Sequence, residues 1–209
     1  MLVVVLIMAI VMAAMSSYAG AVNNDIAKGV IRLHVIANSD SPEDQSLKYS
    51  VRDSILEYMQ ENMDTVKDAP AMPEIKKTFL KNIENVANDE IKREGYPYKA
   101  NVNYGFYPFP TKVYGDVAFP AGYYNAVRVQ IGNALGHNWW CVMFPPLCMI
   151  NTTNGRLPAK SKKMLANKMS SDDYKIITED ANSPNEIKVK FKIVEWFQSA
   201  KIEIKKLLG

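Results

Sequence analysis

Residues 29–38 read GVIRLHVIAN and lie at the start of the folded part of the chain. Leu33 and Val35 are apolar and alternate with Arg32 and His34, and this period of two residues indicates a β-strand. The remaining residues of the stretch are mostly apolar as well, so neither face is purely polar. The stretch therefore predicts a strand that is partly buried on both faces.

The next residues, 39–44, read SDSPED and predict the start of a helix. Ser41 can cap the helix, the proline after it suits the first helical position, and Asp44 stands where a capping box places its acid. Apolar residues at helical spacing continue to about Asn62. After a linker containing two prolines, a second apolar stripe predicts another helix from about Pro73 to Arg93.

Beyond Tyr98 the pattern changes to alternating segments separated by turn residues. We predict strands at residues 100–107, 111–119, 123–131 and 139–144. Short turns should join them as antiparallel neighbours. Together with the first strand, this order predicts an α+β domain: an antiparallel sheet of about five strands with helices packed mainly on one face.

The last part of the chain is less regular. Residues 151–184 are polar and are expected to form a loop region with weak helical turns. Residues 187–194 alternate like a strand but follow a Ser-Pro pair typical of a helix start, so both assignments stay open there. From about Glu195 onward we predict an amphipathic C-terminal helix.

The N-terminus is apolar and carries no charged side chain before Asp25. As a helix, the run Met1–Met15 would be about 22 Å long, which is short of the ~30 Å hydrocarbon core of a bilayer. An A-x-A pattern ending at Ala21 follows, so residues 1–21 are expected to be a signal peptide, with an uncleaved N-terminal membrane segment as the alternative. No basic residue precedes the run, which is unusual for a signal peptide and leaves the true start open. Residues 22–209 should then form a single exported domain.

Composition excludes several function classes. The chain has 25 basic and 22 acidic side chains, a net charge of +3, which gives no reason to expect nucleic acid as a partner. Membrane contact is expected through residues 1–21. The sequence contains no dinucleotide-binding, phosphate-loop, zinc-protease or serine-hydrolase motif, and we expect no cofactor.

Residues 136–149, GHNWWCVMFPPLCM, hold both cysteines and one of the two histidines. A catalytic pair of Cys141 and His137 is one hypothesis, but on a strand these positions would be about 13 Å apart. A metal site is disfavoured because two cysteines separated by six residues lack the close ligand pairs of zinc sites. Export and the Pro-Pro turn favour a disulfide between Cys141 and Cys148 instead. We therefore predict no catalytic and no metal-binding residues.

Three segments, residues 31–59, 107–132 and 136–148, together resemble the stage II sporulation protein R family of endospore-forming bacteria. The resemblance covers about half of the chain, in order. It implies a signalling protein rather than an enzyme. Such a protein would be exported into the space between the forespore and mother-cell membranes, or anchored there if its N-terminal segment is kept. There it would activate a membrane-embedded aspartyl protease of the mother-cell membrane, which processes the precursor of the mother-cell sigma factor E.

A protein of this kind needs a contact surface for its partner. We predict an aromatic patch and a polar patch, with candidate residues Trp139, Trp140, His137, Asn138, Tyr107, Phe109, Tyr114, Asn38, Asp40 and Arg52. Two alternatives stay open: an exported Cys-dependent hydrolase acting on peptide or cell-wall material, and an envelope scaffold. A reactive Cys141 would favour the hydrolase.

Overall fold

A computed structural model of the chain describes residues 1–62, 77–148, 157–178 and 185–208, and of residues 185–188 it describes the backbone only. The described helices are α1 (Leu2–Lys28), α2 (Pro42–Glu61), α3 (Lys77–Arg93), α4 (Ala159–Ala166), α5 (Ser171–Ile177) and α6 (Asn185–Leu208). The described strands are β1 (Ile31–Ile36), β2 (Ala100–Phe109), β3 (Lys112–Tyr114), β4 (Val117–Phe119), β5 (Gly122–Ile131) and β6 (Asn138–Phe144).

The chain divides into two compact units. Unit 1 comprises Met1–Gly29, Tyr107–Tyr124 and Asn151–Gly209, and unit 2 comprises Val30–Phe106 and Asn125–Ile150. The α+β class predicted from the sequence is confirmed, because helices and a four-stranded sheet share the fold.

Unit 2 is built around β1 in a sheet with the strand order β2-β5-β1-β6. All six residues of β1 are buried, as the apolar stretch on both faces predicted. β1 pairs in parallel with β5 and antiparallel with β6. On one side of the sheet, α2 contacts β1 and packs against α3.

The prediction of a purely antiparallel sheet was wrong, because the β1–β5 pair is parallel and the sheet is mixed. Between β1 and β5 the sequence places α2, α3, β2 and a small separate sheet of β3 and β4, and so long a connection can return the chain in either direction. Alternation of apolar residues shows that a segment is a strand but does not show which strand it pairs with. The strand predicted at 111–119 is in fact β3 and β4, which turn at Gly115 with a φ of +60°.

The helix start predicted at Ser41 is confirmed: its side-chain hydroxyl accepts a hydrogen bond from the Asp44 amide at 3.1 Å. The start predicted at Pro73 lies outside the described residues, and α3, described from Lys77, ends at Arg93 as expected. At the C-terminus, α6 is helical from its first residue, so the undecided stretch 187–194 belongs to a helix. The polar region 151–184 contains α4 and α5 among its described residues.

Unit 1 is held together by α1 and α6, which pack side by side. Ala19, Val22 and Ile26 of α1 are buried, and the Gln198 amide of α6 donates a hydrogen bond to the Ala19 carbonyl at 3.1 Å. The N-terminal part of α1 is exposed, and the helix is long and apolar enough to cross a membrane. This is compatible with the expected signal peptide or membrane anchor.

Candidate functional site

The turn after β6 carries the disulfide that the sequence predicted. Cys141 and Cys148 are bonded, with their Cα atoms 5.6 Å apart. The Leu147 amide donates to the Val142 carbonyl at 3.1 Å and closes the turn, which includes a cis Phe144–Pro145 peptide bond. Cys141 is also buried, with 1% of its surface exposed. In this form the chain offers no free thiol at Cys141, so the nucleophile of the hydrolase hypothesis is absent.

The two tryptophans of β6 point to opposite faces of the sheet, as expected for adjacent strand residues. Trp140 lies opposite His34 of β1, and the two rings stack with centroids 3.7 Å apart. Trp139 lies opposite Val35, on the face where α2 places Arg52. Both indole rings are half-buried.

His34 lies at the centre of the sheet and is 6% exposed. Burial disfavours the imidazolium form, and the nearby Arg128 and Arg32 guanidinium groups act in the same direction, so its pKa is lowered to about 4. A hydrogen bond to the Asn138 side chain, 2.6 Å from the imidazole Nε2, opposes the shift without overcoming it. At neutral pH His34 is therefore an uncharged ring that supports Trp140.

The loop that follows β1 is hydrogen-bonded to the loop that precedes β6. The Asn133 amide donates to Asn38 Oδ1 at 2.9 Å, and the Leu135 amide donates to the Asn38 carbonyl at 3.1 Å. The Gly136 amide donates to the Ala37 carbonyl at 3.0 Å. A side chain at position 136 would place its Cβ 2.1 Å from the Ser39 carbonyl oxygen, so only glycine permits this approach.

Asp44, at the start of α2, holds the first of these loops in place. Its carboxylate accepts hydrogen bonds from Asn38 Nδ2 at 2.8 Å and from Ser39 Oγ at 2.5 Å. Burial favours the neutral acid, but the hydrogen bonds from Ser39, Asn38 and Tyr98 outweigh burial and lower the pKa of Asp44. The Asp44 carboxylate therefore holds Asn38 and Ser39, the two residues that directly precede Asp40.

Asp40 in turn holds His137. One Asp40 carboxylate oxygen lies 2.5 Å from both the backbone nitrogen and the Nδ1 of His137. Both side chains are exposed, at 56% for Asp40 and 76% for His137. The pair therefore presents an oriented imidazole to the solvent, with its Nε2 edge available to a partner.

Cationic and aromatic side chains of α2 complete this surface. Arg52 stacks its guanidinium over Tyr49 at 4.8 Å and over Trp139 at 5.1 Å. The Lys48 ammonium lies 4.5 Å from the centre of the Tyr49 ring and donates to the His137 carbonyl at 3.3 Å. We name this surface, together with the buried Lys48 beneath it, the α2–β6 cluster: Asp40, Lys48, Tyr49, Arg52, His137 and Trp139.

Lys48 is the buried member of the α2–β6 cluster, with 2% of its surface exposed. Burial and the charge of Arg52 lower the pKa of its ammonium group, and the carboxylate of Asp40 acts in the opposite direction. Its Nζ also donates to Gln45 Oε1 at 2.6 Å. Lys48 therefore ties α2 to the chain before β6 and adds positive potential beneath the surface.

The structure thus unites some predicted contact residues and separates others. Asp40, Arg52, His137 and Trp139 belong to one cluster, with Asn38 behind it and Asn138 exposed at the start of β6. Trp140 lies on the opposite face of the sheet. Tyr107, Phe109 and Tyr114 belong to unit 1.

In unit 1, Phe109 is a core residue rather than a surface one, with 1% exposure and its ring edge-on to Tyr124 at 5.9 Å. Tyr114 packs edge-on to Phe119 at 6.0 Å, and both Tyr107 and Tyr114 are half-buried.

Lys48 and Tyr49 were not among the predicted contact residues. Tyr49 stands three residues before Arg52, so the two share a helix face. This shared face was the sequence signal that could have identified Tyr49. In the structure, Tyr49 is 44% exposed.

The α2–β6 cluster is suited to protein recognition. Tryptophan, tyrosine and arginine are the residue types that dominate binding energy at protein interfaces. A histidine oriented by a carboxylate also occurs in hydrolases, but there it needs a nucleophile beside it. Within the described ranges, no group of three His, Cys, Asp or Glu side chains could hold a metal ion.

Comparison with known proteins gives a consistent result. The family model for stage II sporulation protein R matches residues 27–154, more than half of the chain and all of the α2–β6 cluster. A curated protein, stage II sporulation protein R from Bacillus subtilis (strain 168), is 36% identical over 179 residues, covering 79% of this chain and 79% of that protein. No solved structure matches the chain.

Proposed function

Because the chain belongs to the stage II sporulation protein R family and is thus a sporulation protein, we propose that it is an exported signal that activates a membrane-embedded aspartyl protease. The protease, in the mother-cell membrane, then processes the precursor of the mother-cell sigma factor E. The signal acts between the forespore and mother-cell membranes.

The observation that carries this proposal is family membership, and three structural features support it. The apolar α1 is suited to export or anchoring. The disulfide suits an oxidising compartment outside the cytoplasm. The α2–β6 cluster supplies an exposed, pre-organised contact surface within the matched region.

Activation by binding requires that the chain have a higher affinity for the active state of the protease than for the inactive one. The α2–β6 cluster is organised before the partner arrives, since Arg52 is already stacked on two rings and His137 is already held by Asp40. Little side-chain entropy is then lost on binding, which favours affinity. Trp139 and Tyr49 supply apolar contact area, and the exposed Nε2 of His137 supplies a polar contact. The Arg52 guanidinium is held over the two rings by its hydrogen bonds to the Asp53 carboxylate at 2.8 and 2.9 Å.

Reconstitution tests the proposal directly. The full chain, with its disulfide intact, is added to vesicles that contain the protease and the sigma-factor precursor. Precursor cleavage is measured as a function of the concentration of the chain. We expect cleavage to depend on the chain. Trp139→Ala and Arg52→Ala should each raise the concentration needed for half-maximal cleavage by at least about tenfold, as expected for hot-spot residues.

Phe106→Ala is the matched control, because Phe106 is an exposed aromatic residue of unit 2 outside the cluster, at 53% exposure. It should leave the response unchanged. Absence of any stimulation by the folded wild-type chain would contradict the proposed function. Normal stimulation by both cluster variants would instead locate the contact surface elsewhere.

A further inference from the structure

An open apolar groove runs between α1 and α6 in unit 1. Its volume is about 460 Å³, and its walls include Met12 and Met15 of α1 and Val189, Ile193, Trp196 and Phe197 of α6. Trp196 and Val189 are among the most exposed large apolar residues of α6, at 60% and 56%. A continuous apolar surface of this kind on an exported protein needs a partner that shields it from water.

The groove continues the surface of the helix that is apolar enough to span a membrane. The large apolar side chains of α1 between Leu2 and Met12 are each at least 46% exposed. The hydrogen bond from Gln198 to the Ala19 carbonyl fixes how the two helices are aligned. Trp196 precedes Gln198 by two residues, about 3 Å along the helix axis, so it lies near Met15, where the apolar run of α1 ends.

The apolar run Met1–Met15 is shorter than the hydrocarbon core, although α1 as a whole is long enough to cross a membrane. Met1–Met15 covers only about 22 Å as a helix, while the hydrocarbon core is ~30 Å thick. Val189, Ile193 and Trp196 add apolar surface beside the end of the run. Tryptophan prefers the boundary between acyl chains and headgroups, and lysine side chains next to it can reach the phosphates. Lys192 lies beside the groove, 74% exposed and in an ion pair with Glu195 at 2.7 Å.

We infer that the first half of α6 is a membrane-interface element: lipid acyl chains fill the groove between α1 and α6, and Trp196 marks the bilayer boundary on the side of the folded domain. The chain is then held at the membrane by two helices of unit 1 instead of by α1 alone. This inference does not depend on the protease, but it requires that α1 stay attached.

Depth-dependent fluorescence quenching tests the inference. The full chain is reconstituted into phosphatidylcholine–phosphatidylglycerol vesicles whose acyl chains carry bromine either near the headgroup or near the bilayer centre. The chain has three tryptophans, so the variant Trp139→Phe, Trp140→Phe leaves Trp196 as the sole indole. We expect its emission to be strongly quenched by shallow bromine and little by deep bromine. The difference in quenched emission between wild type and Trp196→Phe gives the quenching of Trp196 without altering unit 2.

A matched variant reports on α1 itself. With Trp196 and both other tryptophans replaced by phenylalanine, Leu6→Trp should be quenched most by deep bromine. If the indole at position 6 is quenched but Trp196 is not, the inference is overturned. A cross-link between two chains at position 196 would then show that a second copy covers the groove. Quenching of Trp196 mainly by deep bromine would also overturn it.

The native chain provides the second arm. Mass measurement of the protein extracted from sporangial membranes should show that residues 1–21 are retained. A chain that starts after Ala21 has lost the Met12 and Met15 wall of the groove, and finding only that form would overturn the inference.

Discussion

His34 lies in the middle of β1 with 6% of its surface exposed, and burial lowers its pKa from 6.5 to about 4. Between these two pH values, the His34 imidazole is therefore protonated in the unfolded chain and neutral in the folded chain. The stability contribution of this site is complete above pH 6.5 and declines as the pH falls toward 4, by up to about 3 kcal/mol. Chemical unfolding at a series of pH values measures this loss.

His34→Phe keeps a ring against Trp140 and removes the titrating group, so most of the loss between pH 6.5 and 4 should disappear. His137→Ala replaces the other histidine, which is exposed, and is the comparison variant. Asp44, Asp116 and Glu195 have pKa values lowered from their ordinary values, so the stability that they contribute is lost toward the acid end of the titration, and it is lost equally in wild type and in both histidine variants. An unchanged pH dependence in His34→Phe would contradict the assignment.

Gly136 provides a second test with single residues. A Cβ at this position would lie 2.1 Å from the Ser39 carbonyl oxygen, so Gly136→Ala must push the two loops apart. We expect a loss of about 1–3 kcal/mol in the free energy of unfolding, as for other overpacked sites. Because His137 follows directly, the variant should also weaken precursor cleavage.

Gly20→Ala is the control for the general effect of replacing glycine. A Cβ added at position 20 would have no heavy atom within 4 Å, and the residue lies inside α1, where alanine favours the helix. Urea unfolding should show no loss for this variant. Equal stability of Gly136→Ala and Gly20→Ala would show that the loops are not in close contact.

At the scale of single elements, β6 and its turn depend on the disulfide between Cys141 and Cys148. The chain-entropy model gives about 2 kcal/mol for so short a loop. The double variant Cys141→Ala, Cys148→Ala should lose about this amount in the free energy of unfolding, and a reductant should lower wild-type stability equally. A reductant should have no effect on the double variant.

Thiol labelling completes this prediction. Without reductant, an alkylating reagent should label neither cysteine of the folded chain, and after reduction and unfolding it should label both. Labelling of Cys141 in the folded, unreduced chain would revive the Cys-dependent hydrolase as an explanation of the site.

For the whole molecule, the packing of α1 against α6 within unit 1 gives residues 1–21 a structural role. Ala19 is fully buried and accepts a hydrogen bond from Gln198. A chain starting at residue 22 should therefore show faster hydrogen exchange in α6 than the full chain. Amides of β1, whose ladder partners are β5 and β6, provide the internal reference. Equal exchange of α6 in both chains would contradict this role.

Local patterns accounted for much of the fold. The Ser41 cap, the buried β1 and the disulfide turn all follow from short-range spacing, because capping, strand alternation and loop closure involve residues close in the sequence. The pairing of β1 with β5 could not be obtained in this way. The two strands are almost a hundred residues apart, and an alternating segment fits a parallel or an antiparallel neighbour equally well.

The α2–β6 cluster shows the same division. The sequence by itself favoured a disulfide between Cys141 and Cys148 in an aromatic segment, and it placed Asp40 just before a helix that contains Arg52. Only the tertiary structure decided that Asp40 holds His137 and that Arg52 stacks on Trp139, since those contacts join segments 97 and 87 residues apart. Side-chain contacts of that range depend on how the helix and the sheet pack together, and no local periodicity encodes that packing.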